Sequence, residues 1–159
     1  MSDARPTRSS TGTFMLTLIA LVWLGMVLGV SGLATPIKFQ AVSLTLPVAL
    51  DVGQTTFAAF NKMEWLLAAL LVLATVVSRL RPVSLPTLLT AGLVIIVLLQ
   101  TFWLLPALDM RVSAVIAGEV LPPSGLHNLY VVAEGLKLLA LIILGVGTLL
   151  KLVASQADG

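Results

Sequence analysis

Cysteine is absent from the 159-residue chain. Its absence excludes disulfides, thiolate metal sites and cysteine nucleophiles. Charge is scarce. Asp, Glu, Lys and Arg make up 10% of the residues, against about 25% in a soluble domain. Histidine occurs once, at His127, so no two-histidine metal motif can be written. The basic residues are scattered and the net charge is +2. Nucleic-acid binding, which needs a clustered basic face, is therefore not expected. No serine stands with a histidine and an acid in a triad arrangement, and no glycine-rich phosphate loop follows a strand pattern. There is no internal repeat and no low-complexity run.

What fills the chain is hydrocarbon. Hydrophobic residues make up 58% of it, and the mean hydropathy is +1.10. So apolar a chain has nowhere to hide its surplus in water. It reads as an all-α integral membrane protein, a four-helix bundle in contact with the lipid bilayer. Crossing a bilayer takes about 20 apolar residues. Residues 14–34 form the first span; the run is too long for a signal-peptide core, so it is read as a retained helix. Residues 35–60 carry Pro36, Pro47 and Gly53, and read as a kinked continuation of the first helix or as an interfacial helix. The second span runs from Asn61 to Val77, the third over 85–105 and the fourth over 126–153. A short helical segment is expected after Pro106. Residues 1–13 and 154–159 are expected to be disordered tails, leaving 14–153 as one transmembrane domain.

Lys and Arg near the span ends set orientation. Arg5, Arg8, Arg79, Arg81 and Lys151 fall on one side, and Lys38, Lys62 and Arg111 on the other. That bias places both termini in the cytoplasm. Trp65 and Trp103 fit an aromatic belt at the outer interface. Gly25, Gly29 and Gly32 place small residues on one face of the first helix, a pattern of close helix packing.

The fourth span carries the chemistry. His127, Tyr130, Glu134 and Lys137 are spaced so that a helix puts them on one stripe. Lys137 lies roughly 15 Å below His127, near the middle of the hydrocarbon. An ionisable group there needs a partner or water. Glu134 is one turn above it, and Glu64 and Asn61 of the second span are at matching depth. Two readings stand side by side. In one, the stripe is structural glue, pairing inward with Asn61, Glu64, Gln100 and Arg111. In the other, it is a site: a polar cluster that handles a small solute or ion, or a metal, haem or pigment held by His127 with Glu64 and Glu134. One histidine without a second is a weak metal signal, so no cofactor is expected and a non-enzymatic role is favoured. Assembly with further copies or into a larger membrane complex is left open.

Trp23 and Gly25 in the first span, followed by Pro36 and Phe39, resemble the transmembrane-protein-205-like family of small four-helix membrane proteins of unknown function. The step Leu126–His127 and the stretches "LLPALDMR" and "LHNLYVVAEGLK" are similar to its bacterial branch. The resemblance covers residues 14–150. It implies four spans with both ends on the same side, and a bacterial inner-membrane location. It implies no activity.

Overall fold

The computed structural model describes residues 8–157. The expected disorder of residues 1–7, and of the last two residues of the tail, lies outside them. Among the described residues every regular element is a helix and there is no strand. Helix α1 (Arg8–Val27) runs without a break through a π-helical stretch, Leu28–Ala34, into α2 (Thr35–Lys38). Helix α3 spans Leu46–Val77. Helix α4 (Leu85–Leu99) passes through a second π stretch, Gln100–Leu104, into α5 (Leu105–Ile116). Helix α6 spans Leu126–Ala157. These make four rods, each long and apolar enough to cross a membrane. The rods stand in a ring in chain order, α1 against both α3 and α6, and α4 against the other side of the same two helices.

Several boundaries differ from the sequence reading, and the prolines are the reason. Pro47 does not interrupt a kinked segment; it sits in the first turn of α3, where its missing N–H costs nothing. Residues 46–60 therefore belong to the second rod, and only 39–45 form a loop. Pro106 does not end the third rod. Pro36 and Pro106 each stand two residues beyond a π stretch. A proline ring inside a helix clashes with the carbonyl four residues back, here those of Gly32 and Phe102, both within the widened turns. The Thr35 N–H reaches back five residues to the carbonyl of Val30, and the Leu105 N–H to that of Gln100. The wide turn thus carries the helix past the proline. At the ends, α1 begins at Arg8 and α6 continues to Ala157. The described parts of the expected tails are therefore helical.

The core lies in the half of the bundle nearer the chain termini. Leu16, Ala20, Trp23, Leu71, Leu93, Val97, Leu141 and Leu144 are almost wholly buried there. Threonines stitch the same half: Thr17 donates to Thr148 at 2.7 Å, and Thr75 and Thr90 stand 3.2 Å apart. The outward faces are apolar. On α6, Leu129, Val132, Leu136 and Leu139 are all exposed, the surface that suits lipid. Helix α1 packs closely on α6 at Gly145, where an added Cβ would lie 2.8 Å from Leu21 Cδ2. The glycines expected to mediate packing meet no other rod of this chain. A Cβ on Gly25, Gly29 or Gly32 would meet no atom within 4 Å: Gly25 and Gly29 are exposed on the outer face of the first rod, and Gly32 borders a cavity between the rods.

Candidate functional site

All four rods bring ionisable or polar side chains to one point. Lys137 on α6 is completely buried. Its ammonium contacts Glu64 Oε1 on α3, and lies 2.6 Å from Glu134 Oε1 on its own helix. The Glu134 contact follows from the three-residue spacing, which puts both side chains on one face. The ring of Phe60 lies under the ammonium at 5.9 Å, within range of a cation–π contact.

Each carboxylate has further donors. Trp23 Nε1 of α1 donates to Glu64 Oε1 at 3.2 Å. Gln100 Nε2 donates to Glu134 Oε1 at 2.7 Å, and Ser31 Oγ donates to Glu134 Oε2 at 2.7 Å. Ser31 and Gln100 belong to the two π stretches. Such wide turns in a helix recur at functional sites. Here both aim their polar residue at the same carboxylate from opposite sides of the ring. Glu134 therefore collects a donor from each irregular rod and the charge of its own helix.

Above the cluster is a cavity of about 370 Å³. All four rods line it. It extends from the level of Lys38 and His127 down to Ser31, Glu134 and Leu138. Phe39, Phe57 and Tyr130 give it an aromatic wall, and Tyr130 packs edge-on against Phe57 at 5.4 Å. Lys38 Nζ lies over both Phe39 and Phe57, at 5.1 and 6.0 Å. Asp109 lines the outer part. A mostly apolar cavity with a few convergent polar groups is the usual form of a small-molecule site. Below Glu134 the space closes over the packed leucines of the core.

The stripe on α6 is thus divided by depth. His127 is exposed at the outer end, Tyr130 and Glu134 line the cavity, and Lys137 lies beneath it. Glu64, Glu134 and Lys137 come together. Asn61 does not join them: its Oδ1 accepts from Thr101 Oγ1 at 3.1 Å, and Trp65 Nε1 also donates to Thr101, at 3.0 Å. Arg111 stands away from the cluster altogether. Its guanidinium donates to the carbonyl of Pro122, because α5 carries it out toward the loop before α6. His127 is seven residues from Glu134, roughly 10 Å along the helix, and does not meet the Glu64–Glu134 pair. Among the described residues no three His, Cys, Asp or Glu side chains form a group able to hold a metal ion.

Trp23, Ser31 and the cavity residues of α2 and α5 were not singled out from the sequence as partners of the stripe. The signal available was depth: Trp23 and Ser31 lie on the first rod at the levels of Glu64 and Glu134. No protein-family model, curated protein or solved structure matches the chain.

Proposed function

We propose that the chain is an integral protein of the cell membrane, with both termini in the cytoplasm, that admits a small solute or ion into its cavity from the extracytoplasmic face. The observation that carries this reading is the cavity itself, which descends among all four rods and stops on the buried carboxylate of Glu134. A packing network needs no such access. The reading is non-enzymatic. The cavity offers a charged floor and an aromatic wall. The motif resemblance through Trp23, Gly25, Pro36 and Phe39 agrees with a bacterial four-span protein and adds no activity.

The native absence of cysteine makes the test clean. Single cysteines are placed at Thr35 in the cavity wall, at Leu71 in the packed core, and at Ser124 in the last loop. An impermeant thiol reagent applied to intact cells is expected to label Ser124→Cys and Thr35→Cys and to spare Leu71→Cys. Equal protection of Thr35→Cys and Leu71→Cys would refute access through the cavity.

A further inference from the structure

The buried cluster is out of charge balance. Two carboxylates, Glu64 and Glu134, contact one ammonium, that of Lys137. Their residues are 1%, 6% and 0% exposed. Glu64 and Lys137 are closed off from solvent, and only an edge of Glu134 meets the cavity. A buried charge without a partner neutralises itself rather than persists, and two carboxylates in one site do not readily both ionise.

Among the described residues no other cation reaches them. The ionisable groups near Glu134 are Glu64 from α3, and Tyr130 and Lys137 from α6. The first and third rods contribute Trp23, Ser31 and Gln100, which are neutral. Lys38 is held at the outer part of the cavity over Phe39 and Phe57. Asp109 and His127 also line that outer part.

A second, independent observation points the same way. Gln100 is fully buried, and its Oε1 has no hydrogen-bond partner. It sits on the same amide whose Nε2 donates to Glu134. Turning that amide by half a rotation would bring Oε1 to Glu134, a contact that is a hydrogen bond only when the carboxyl carries a proton, because an ionised carboxylate offers no donor.

We propose that the cluster holds one exchangeable proton, shared between Glu64 and Glu134, and loads it through the cavity. The inference rests on the solute-access reading above and names the ion. The step is a protonation. A hydronium in the cavity gives its proton to a carboxylate oxygen and leaves as water; unloading is the reverse. Lys137 is the fixed counter-charge that lets one carboxylate stay ionised while the other carries the proton. Ser31 and Gln100 hold Glu134 at the cavity floor, and Trp23 holds Glu64 behind it.

The test is infrared spectroscopy of the purified full chain in lipid nanodiscs at neutral pH, with choline as the only added cation. The wild-type protein is expected to show a protonated-carboxyl band that shifts on transfer to deuterium oxide. Glu64→Gln and Glu134→Gln each restore one carboxylate to one ammonium, so each should lose the band. Lys137→Met removes the counter-charge, so its band should double in area. A wild-type protein with no protonated carboxyl would overturn the proposal. So would a band that survives in both glutamine variants, or one that does not exchange. A band that vanishes when sodium replaces choline would assign the exchangeable charge to the metal cation and overturn the proton. Labelling of Thr35→Cys in the same membranes tells a dry cavity from an absent proton.

Discussion

At the scale of the residue, the cluster predicts an unequal response to neutral substitutions. Removing one member of a buried charge pair costs about 3–5 kcal/mol, because the partner is left unpaired. Lys137 is the member both carboxylates depend on. Lys137→Met is therefore expected to destabilise the protein in detergent by about 3–5 kcal/mol. Glu64→Gln should cost much less, because Lys137 keeps Glu134. Thermal unfolding of the two variants checks the order, and equal losses would mean that the ammonium has other partners. Much of this cluster was legible in the sequence. The spacing of Glu134 and Lys137 places them on one helix face, and depth nominates Glu64. Ser31 and Trp23 were missed, because only their depth marks them, and a hydroxyl or an indole in an apolar run carries no pattern. Arg111 was misplaced because charge was matched by depth alone, whereas α5 delivers its side chain to the carbonyl of Pro122.

At the scale of the element, the glycines separate by what lies opposite them. Gly145 is packed against Leu21. Gly145→Val is expected to force the first and last rods apart and to cost about 1–3 kcal/mol, the usual price of overpacking. Gly145→Ala should be milder, since the nearest atom is the movable end of a leucine side chain. Gly25→Ala and Gly29→Ala should lie within about 0.5 kcal/mol of wild type, as changes away from contacts do. Chemical denaturation in detergent compares all four; a large loss at Gly25 or Gly29 would show that something outside this chain packs there. The repeated spacing of Gly25 and Gly29 marks those two as the packing residues. Spacing identifies a face, but not what the face meets, and a lone Gly145 beside Gly147 shows no repeat. The rod boundaries were obscured for a related reason. Proline reads as a breaker wherever it stands, yet Pro47 begins a helix and Pro36 and Pro106 are carried by widened turns.

At the scale of the whole molecule, four apolar rods were the most legible feature, because length and hydropathy alone define them. Their order in the ring follows from short connections between neighbours. The orientation is a separate matter and rests on Lys and Arg near the rod ends. Residues 78–84 and the end of α6 share one end of the bundle, and residues 39–45 and 117–125 share the other. Cysteines at Ser84 and Ser155 are thus expected to be protected together from an impermeant reagent in intact cells, while one at Ser124 reacts. Reaction at Ser84 and Ser155 with protection at Ser124 would reverse the orientation and turn the cavity toward the cytoplasm. Reaction at only one of Ser84 and Ser155 would contradict the four-rod arrangement itself.

The two wide turns have a consequence for how this architecture can vary in length. A π stretch is an α-helix with one residue too many for its rise, kept because the proline beyond it would otherwise strike a carbonyl. A chain with another residue in place of Pro36 has no steric reason to keep the surplus between Val27 and Phe39. The same holds for Pro106 and the stretch from Leu99 to Leu105. Loss of the proline and a one-residue deletion should therefore occur together. A chain that dropped only the residue would turn everything beyond it by about 100° around the helix axis. In the first rod, that deletion would swing Lys38 away from Phe57 while the Trp23–Glu64 contact stayed in place. Gaps in an alignment of such chains would then mark the turns beside Glu134, where gaps are otherwise expected in loops.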